Sequence, residues 1–355
     1  MLKMVKKDYI SKRKKILIRF FAIFIALLTS SFFIKLLGHN PFNVYISIFK
    51  GAFGSKYRII ETLKVAIPLI LTSIGIMIAF KMKFWNIGGE GQILMGAFFA
   101  SYFALYHSYL PKPILLLVML IAGFIGGSLW ALIPALLKVK FNTNETIITL
   151  MLNYIAIKWI TFLKYGPWKD PNAFGFPSIK TFESSAILPK LFGLHIGWVL
   201  TIIVVITITI LMKYSKWGYN LSIIGESKDT ARYAGIDINK TIIFSILASG
   251  GICGIVGFIQ ASAINQSLTP MLSAGYGFTA IITTWLSSLL PSLIIPVSLL
   301  FAGLIKGGSF IQTAFGIPAS AADILQSTIL FFVIGSEFFI KYDLKLFIHK
   351  KEVTE

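Results

Sequence analysis

Cysteine and histidine are scarce in this sequence of 355 residues. Cys253 is the one cysteine, so a disulfide framework and a cysteine-based metal site are both excluded. The four histidines are scattered, and no two have the spacing of metal ligands; they are His39, His107, His195 and His349. We therefore expect no metal site in this chain.

Several catalytic and channel signatures are also missing. No GxxxxGKS/T phosphate loop occurs, so we expect neither nucleotide hydrolysis by that route nor an enzyme. Arg-rich voltage-sensor repeats and a TVGYG-type filter are absent as well. Few acidic residues fall within the apolar segments, Glu337 being the main exception, and this disfavours a proton-coupled carrier.

Charged residues make up only 13% of the chain, against 56% hydrophobic residues, and the mean hydropathy is +0.81. These values exclude a water-soluble globular protein. The apolar stretches are continuous runs of about twenty residues, which predict membrane-spanning helices, whereas barrel strands alternate over about ten. The predicted fold class is all-α, a polytopic transmembrane helical bundle.

The net charge of +19 comes mainly from basic residues that crowd ahead of the first apolar run or stand at the ends of the others. This distribution is typical of charge that sets membrane topology, and it is compatible with contacts to anionic lipids. It disfavours a nucleic-acid partner. The basic amino-terminal tail predicts a cytoplasmic amino terminus.

The order of apolar runs predicts about ten spans with both termini cytoplasmic. The domains are then a basic tail (1–15), a transmembrane domain (16–340) with a long external loop (164–195), and a second cytoplasmic tail (341–355). The region 275–308 fits either two full spans or broken, re-entrant helices. The spans are expected at about 16–37, 63–80, 93–109, 114–137, 145–163, 196–212, 240–264, 278–290, 293–305 and 324–340.

A polar island, residues 213–240, interrupts the apolar sequence, and counting spans places it in the cytoplasm. Its centre predicts a short helix that Ser227 caps and in which Asp229 suits the positive end of the dipole. Arg232 suits the last turn, and Gly235 can end the helix in a left-handed conformation. A helix of about two turns is unstable alone in water, so we expect it to dock on a partner. A solvated loop with an incidental turn is the alternative.

Residues 85–92, with the sequence WNIGGEGQ, hold three glycines within four residues, which weakens a helix there. Asn86, Glu90 and Gln92 are polar groups at the edge of the hydrocarbon, where unpaired they are costly. Broken helices build polar sites at membrane depth in transporters. With Trp85, these residues are candidates for a translocation pathway or its gate, and an ordinary turn before a helix is the alternative.

Five further polar residues are candidates for the same pathway. Asn144 and Glu145 precede the fifth span, where a helix cap also explains them. Asn153 lies inside that span, which suits either interhelical hydrogen bonding or solute contact. Asp323 and Gln326, at helical spacing, open the last span, where Asp323 is equally a first-turn capping residue.

Two pairs of glycines have small-xxx-small spacing, which predicts close packing of helices. They are Gly123 with Gly127 and Gly250 with Gly254.

Five segments resemble, in the same order, motifs of the membrane subunits of ABC importers of the branched-chain amino acid and simple sugar type, in the nucleoside branch that works with a basic-membrane-protein lipoprotein receptor. The family elements are FNIGxEGQ, NExxxTxMLNYIA, GxxLRAxGxxxxAAxYAGI, GFTAIA and GxPxxxxDxxQ. The resemblance covers the chain from about 60 to 340. The similar segments are 85–92, 144–156, 218–236, 277–281 and 316–326.

The sequence departs from that family pattern at four places. Trp85 stands where phenylalanine is usual, Ser222 where arginine is frequent, and Thr230 where alanine is found. The segment 285–291, WLSSLLP, replaces a glycine-rich turn. The contact usually made by the arginine and the packing of the last helices are the features these departures affect.

The resemblance implies that the polar island is a coupling helix lying in a groove of a separate ATPase. It further implies a second homologous permease, a lipoprotein or periplasmic receptor facing the external loop, and a multi-pass location in the bacterial inner membrane. No cofactor is expected in this chain, because ATP and Mg²⁺ belong to the ATPase, which is expected to have tandem domains. The implied ATPase-coupling residues are Gly218, Gly225, Ser227, Asp229, Ala231, Arg232, Tyr233, Ala234 and Gly235.

These features predict a permease subunit of an ATP-driven importer that supplies half of a translocation pathway, with nucleosides as the expected solutes. Simple sugars or another small polar solute are the alternative. An ion-coupled secondary carrier, in which Glu90, Asp323 or Glu337 would titrate, and a scaffold without transport are further alternatives.

Overall fold

A computed structural model of the chain describes residues 2–6, 11–173, 175–317 and 319–346. Within these residues the chain is predominantly helical, as predicted, and two short antiparallel strand pairs are added. The helices are α1 (Lys12–Leu36), α2 (Pro41–Phe53), α3 (Lys56–Lys81), α4 (Gly89–Tyr106), α5 (Lys112–Phe141), α6 (Glu145–Tyr165), α7 (Gly197–Tyr214), α8 (Lys216–Glu226), α9 (Lys228–Tyr233), α10 (Ile238–Ile259), α11 (Tyr276–Leu286), α12 (Pro291–Phe315) and α13 (Ala319–Lys341). The strands are β1 (Leu2–Lys6), β2 (Lys190–Leu191), β3 (Leu194–His195) and β4 (Tyr342–Leu346), with β1 paired to β4 and β2 to β3.

Six helices among the described residues are long and apolar enough to cross a membrane, and the protein is therefore a multi-pass membrane protein. They are α3, α5, α6, α7, α12, and α10 together with the π-helical turn Gln260–Asn265 that continues it. A seventh span is counted if α1 and α2, which meet at a bend of 109°, form one broken span. The count of about ten spans stays a prediction.

The bend between α1 and α2 has a local cause. Gly38 adopts a φ of +81°, which favours glycine, and the side chain of Asn40 accepts a hydrogen bond from the backbone N–H of Phe42 at 3.0 Å. Pro41 then occupies the first position of α2, where its missing N–H costs nothing. Most of the segment between the first two predicted spans, which end at 37 and begin at 63, is thus helical.

The region 275–308 contains one short helix and one long one. At about 1.5 Å per residue, the 11 residues of α11 extend only about 16 Å, too little to cross a bilayer. The expected full span at 278–290 is therefore replaced by a half-length helix, and α12, with 25 residues, extends well beyond the predicted end at 305. The structure favours the broken-helix alternative for this region.

The chain divides into two compact units. The terminal unit combines Met1–Ile59 with Gly303–Glu355, and in it α1 and α13 pack along each other. A small core in this unit is formed by Ile34, Val44, Ile311 and Ile317.

The central unit, Ile60–Ala302, is built around α4, α5 and α10. The predicted glycine stripes meet here: a Cβ placed on Gly254 would collide with the carbonyl oxygen of Gly123, and one placed on Gly127 with that of Gly250. Gly96 in α4 is in equally close contact with Gly254. The prediction of close helix packing is confirmed, because all three backbones approach to distances that only glycine permits.

The long loop between α6 and α7 is fastened to the end of α10 instead of hanging free. The backbone N–H of Phe182 donates to the carbonyl oxygen of Gln266 at 2.8 Å, and that of Leu188 donates to Oγ of Ser262 at 3.1 Å. Oγ of Ser267 donates to the carbonyl oxygen of Ile179 at 3.0 Å. The loop therefore presents a fixed surface.

His195, at the end of this loop, is buried with 3% of its surface exposed. Neither of its ring nitrogens has a hydrogen-bond partner among the described residues. Burial lowers the pKa of His195 to about 4, and the positive charge of Lys64 acts in the same direction. The folded chain therefore holds this imidazole neutral.

The stability of the chain should fall as the pH drops from about 6.5 to about 4, because in that range only the unfolded state protonates His195. The expected loss between pH 7.5 and pH 5 is about 2 kcal/mol. Thermal unfolding midpoints at the two pH values check this. The His195→Phe variant should lose this pH dependence, whereas His39→Phe should keep it, and an equal pH dependence in both variants would contradict the assignment.

Candidate functional site

The chain between α3 and α4 is irregular yet buried. Met82 and Phe84 are each 3% exposed, and Asn86 is completely enclosed. The helix resumes at Gly89, four residues earlier than the predicted start of the third span at Ile93. The expected break at WNIGGEGQ is confirmed, and irregular backbone of this kind is tolerated in a membrane protein where protein surrounds it.

The break lies level with the middle of a spanning helix. Nδ2 of Asn86 donates to Oγ of Ser249 at 3.3 Å. Ser249 lies eleven residues, about 16 Å, beyond the first residue of α10.

Glu90 joins the break to α11. Its carboxylate is buried, and its two oxygens accept hydrogen bonds from the backbone N–H groups of Gly275 at 2.8 Å and Gly277 at 2.7 Å. Gly275 has a φ of +75° and is the N-cap of α11, while Glu90 itself lies in the first turn of α4. The positive ends of two helix dipoles therefore meet at one negative charge.

Three further side chains stabilise the break through polar contacts. Oδ1 of Asn86 accepts from the N–H of Gly88 at 2.9 Å and from Nε2 of Gln92 at 3.1 Å. Asn153 in α6 accepts from the N–H of Gly91 at 2.8 Å and donates to the carbonyl oxygen of Ile87 at 2.9 Å. All three side chains are buried. The interhelical hydrogen bonding that the sequence left open for Asn153 is thus present.

The amino end of α6 is capped as expected. Oδ1 of Asn144 accepts from the N–H groups of Thr146 at 3.0 Å and Ile147 at 3.4 Å. Glu145 follows in the first turn and forms an ion pair with Lys138 at 2.9 Å. These local contacts account for both polar side chains.

An aromatic cluster packs around Trp85, which lies within the break. Trp85 stacks on Trp285 with ring centroids 5.4 Å apart and an interplanar angle of 25°. Phe80 contacts both rings, at 5.4 Å and 5.8 Å. Two of the positions that depart from the family pattern therefore touch each other, which gives the larger ring at position 85 a partner at position 285.

Asp323 and Gln326 both lie on α13 in the terminal unit. Asp323 is exposed. The side chains of Gln326 and Glu337, and the whole of Pro318, lie outside the described residues. The structure brings together the candidates of the central unit, from Trp85 to Asn153, and describes Asp323 separately.

The polar island forms two consecutive helices, α8 and α9, joined at Ser227, which we call the polar hairpin. Ser227 accepts from the N–H of Thr230 at 3.2 Å as the N-cap of α9, and Arg232 pairs with Asp229 at 3.5 Å. Gly235 has a φ of +73° and ends the helix, as expected. Ala231 is buried, whereas Tyr233 has 96% of its surface exposed in the segment 232–235, which we call the tip.

The polar hairpin rests on α3, α7 and α10. A Cβ on Gly225 would collide with the carbonyl oxygen of Lys81, and one on Gly218 with that of Met212. Nε1 of Trp217 donates to Oγ of Ser245 at 2.8 Å. Gly225 therefore contacts the last residue of α3, immediately before the break.

Two positions of the polar hairpin that depart from the family pattern, Ser222 and Thr230, are exposed on its surface. Ser222 is exposed and donates from Oγ to the carbonyl oxygen of Gly218 at 3.1 Å, so its hydroxyl is satisfied within α8. Thr230 is exposed at the start of α9. Ala234 is exposed beside Tyr233.

Sequence reasoning missed several residues of the site. Thr149 accepts a hydrogen bond at Oγ1 from the N–H of Ile87 at 3.2 Å, and Ser249 contacts Asn86. The sequence does not distinguish these two hydroxyls from the many Ser and Thr hydroxyls that bond to the backbone of their own helix. The groups that bind Glu90 are backbone N–H groups of two glycines, and residue type does not show that a backbone N–H binds a distant side chain. α8 had a signal in the apolar spacing of Trp217, Leu221 and Ile224, which repeats at four and three residues.

A buried helix break and glycine-packed spanning helices are typical of membrane transport proteins. Residues 58–334 match the family described as the branched-chain amino acid transport system / permease component, and the chain belongs to that family.

Several curated relatives align along most of their own length. A glucose ABC transporter permease protein of Haloferax volcanii is 31% identical over 85% of this chain and 83% of its own. A nucleoside ABC transporter permease protein of Lactococcus lactis is 28% identical over 91% and 92%. A guanosine ABC transporter permease protein of Bacillus subtilis is 26% identical over 92% and 95%.

Proposed function

We propose that this chain is the permease subunit of an ATP-driven importer of nucleosides. The observation that carries the proposal is the alignment with two permeases named for nucleosides and guanosine, each over more than nine tenths of both chains. The hydrogen bonds of Glu90, directly after the break, support a role in moving solute. The contact of the polar hairpin with Lys81, the residue directly before the break, supports it as well.

The proposed assembly contains a tandem-domain ATPase, a second homologous permease, and a lipoprotein or periplasmic receptor. ATP and Mg²⁺ are bound by the ATPase, and this chain contributes half of the pathway. It crosses the bacterial inner membrane several times, with both termini in the cytoplasm. In this arrangement the polar hairpin, residues 213–240, is cytoplasmic, and the loop 164–195 faces the receptor.

The polar hairpin is the proposed contact with the ATPase. Tyr233, Arg232, Ala234 and Gly235 are exposed at its tip, so they are available to a groove on a partner. Behind the tip, α8 abuts the end of α3 at Gly225 and is bonded to α10 through Trp217. A movement imposed on the tip therefore reaches α3, which ends at the break, and α10, whose Ser249 is bonded to Asn86 within the break.

The junction at Glu90 is the proposed gate element. Because the carboxylate of Glu90 in α4 binds the amino terminus of α11, a shift of the end of α3 at Lys81 changes the contacts of the segment that holds this carboxylate in place. Asn86, Gln92 and Asn153 are committed to backbone and side-chain partners, which suits a gate more than a solute surface. Trp85, partly exposed beside Trp285, borders the same gate.

A simple sugar is the second candidate solute, since the relative with 31% identity is named as a glucose permease. Reconstitution of the complete complex in proteoliposomes with receptor, ATPase and both permeases separates the two. The expected result is saturable, ATP-dependent uptake of a labelled nucleoside and little uptake of glucose. Equal nucleoside uptake without ATP would overturn the ATP-driven mechanism, and preferred uptake of glucose would overturn the nucleoside assignment.

Replacement of Tyr233 by alanine should reduce co-purification of the ATPase and lower ATP-dependent uptake at least tenfold, because an exposed aromatic anchor is a frequent centre of binding energy. The helix itself should persist, since the ring has 96% of its surface free. Tyr109→Ala, in the connection between α4 and α5 with 78% exposure, is the matched control and should behave as the wild type. Normal co-purification and uptake with Tyr233→Ala would refute the docking site.

A further inference from the structure

The spanning helix α10 ends in the π-helical segment Gln260–Asn265, which we call the π-turn. Such turns are rare in proteins, occur mostly as single turns within α-helices, and are frequent at functional sites. Gln266, the residue that follows, has a φ of +51°, which is uncommon for a residue other than glycine. Two uncommon backbone conformations therefore adjoin at the end of this helix.

Gln260, the first residue of the π-turn, has a buried side chain with an unused hydrogen-bond donor. It is 2% exposed, and among the residues that the structure describes its Nε2 has no partner. A buried donor without a partner is costly, so a second conformation in which Nε2 gains a partner would be favourable. The π-turn is therefore suited to adopt two conformations.

On one side, the π-turn contacts the segment that binds Glu90. The hydroxyl of Tyr276 is hydrogen-bonded to the side chain of Gln260. Tyr276 is the first residue of α11 and stands between Gly275 and Gly277, whose N–H groups donate to the Glu90 carboxylate. A displacement of Gln260 therefore acts on the amino end of α11, which Glu90 holds.

On the other side, the π-turn is bonded to the loop between α6 and α7. Oγ of Ser262 donates to the carbonyl oxygen of Ala186 and accepts from the N–H of Leu188 at 3.1 Å. Ser262 and Ala186 are completely enclosed. The carbonyl oxygen of Gln266, directly after the π-turn, accepts from the N–H of Phe182 at 2.8 Å. A movement of the loop at these residues therefore displaces the π-turn.

The π-turn and the polar hairpin contact opposite ends of α10. The 22 residues of α10 extend about 33 Å, and near its start Ser245 accepts the hydrogen bond of Trp217 from the polar hairpin. Ser249, one turn further along, is bonded to Asn86 in the break. One helix thus contacts the proposed ATPase-docking element, the break and, through the π-turn, the loop 164–195.

We propose that the π-turn transmits docking of the receptor to the Glu90 junction, with Gln260, Ser262 and Tyr276 as positioning residues. The inference rests on the proposed function, in which the receptor docks on the loop 164–195. A docked receptor shifts the loop, and Ser262 passes the shift to the π-turn. Gln260 passes it through Tyr276 to the amino end of α11. Stimulation of ATP hydrolysis by the receptor therefore depends on these three side chains.

ATP hydrolysis by the complete complex in proteoliposomes, with and without guanosine-loaded receptor, tests this connection. Gln260→Met replaces the amide by an apolar group of similar length, and Tyr276→Phe removes only a hydroxyl. Each variant should keep the receptor-free rate within twofold of the wild type and lose at least fivefold of the stimulation by the receptor. Exposed residues supply the matched controls Gln312→Met and Tyr57→Phe, which should keep full stimulation.

Ser262→Ala tests the connection between the loop and the π-turn. It removes the hydroxyl that bonds Ala186 and Leu188, so it should reduce stimulation by the receptor at least threefold. Full stimulation in this variant would exclude the loop from the connection and overturn the inference.

Thermal unfolding distinguishes transmission from a merely structural role. Gln260→Met removes a buried donor that has no partner among the described residues, so its unfolding midpoint should equal or exceed that of the wild type. A lowered midpoint together with a lowered receptor-free rate would make Gln260 a structural residue and overturn the inference.

Three further outcomes are informative. Wild-type stimulation in either Gln260→Met or Tyr276→Phe would overturn the inference. A lowered affinity for the receptor in these variants would show that they alter the docking surface, and would overturn it too. A wild-type complex whose ATP hydrolysis the receptor does not stimulate, and which takes up no nucleoside, would overturn the proposed function itself.

Discussion

Glu90→Gln is expected to lower ATP-dependent uptake at least tenfold and to lower the thermal unfolding midpoint of the purified complex. The carboxylate accepts one backbone N–H with each oxygen, at 2.8 Å and 2.7 Å. Glutamine has one acceptor oxygen, and its amide group would direct a donor at the second N–H. It also removes the negative charge that two helix amino termini share.

The size of this effect follows from two contributions. A buried amide without a partner costs about 1–3 kcal/mol. Charge at a helix amino terminus contributes up to about 2 kcal/mol in a partly buried setting. A loss of about 3 kcal/mol is therefore expected, because the Glu90 side chain is buried.

Glu183→Gln is the matched control, because Glu183 has 55% of its side chain exposed and only a 3.8 Å contact with Lys180. This exposed pair should contribute little, so the variant should unfold as the wild type does. An uptake of Glu90→Gln equal to that of the wild type, together with an unfolding midpoint equal to that of the control, would show that the carboxylate does not hold the junction.

Gly254→Ala is expected to leave little folded protein in the membrane. The new Cβ would collide with the carbonyl oxygen of Gly123 and lie 3.0 Å from the Cα of Gly127. Both neighbours are backbone atoms of α5, so relief requires that two spanning helices separate. Overpacking in a dense core costs about 3 kcal/mol at the upper end of its usual range, and more where backbones collide.

A control variant at a second glycine distinguishes this backbone clash from a general effect of glycine replacement on stability. Gly335 in α13 has no atom within 4 Å of its would-be Cβ. Gly335→Ala should be neutral or slightly stabilising, by up to about 1 kcal/mol, because alanine favours the helix. Folded yield and thermal unfolding midpoint are the measurements. A Gly254→Ala protein as abundant and heat-stable as Gly335→Ala would contradict the packing assigned to α5 and α10.

The features predicted correctly from sequence are those with local causes. Ser227 and Asn144 cap the helices that follow them, and Gly235 ends α9 with a positive φ. The glycine pairs at four-residue spacing predicted a close contact, although the sequence did not say which stripes would meet. In each case the decisive atoms lie within one or two helical turns of the residue that signals them.

The features that sequence could not supply depend on partners far along the chain. The first turn of α11 is bonded to Glu90, 185 and 187 residues away, so the apolar run around 278 resembles a full span until that contact is known. Asn86, Glu90 and Asn153 were identified as polar residues of interest, yet their partners were unknown.

The contact between Gly225 and Lys81 has a consequence for mutational scanning. It joins the Cα of a glycine to a carbonyl oxygen, so no side chain takes part in it. Alanine substitution at Lys81 leaves this contact intact, and a scan that truncates side chains would report the region as unimportant. Only a substitution that adds a side chain at Gly225 tests this contact between backbone atoms. Gly225 is therefore the informative position for mutagenesis in this region.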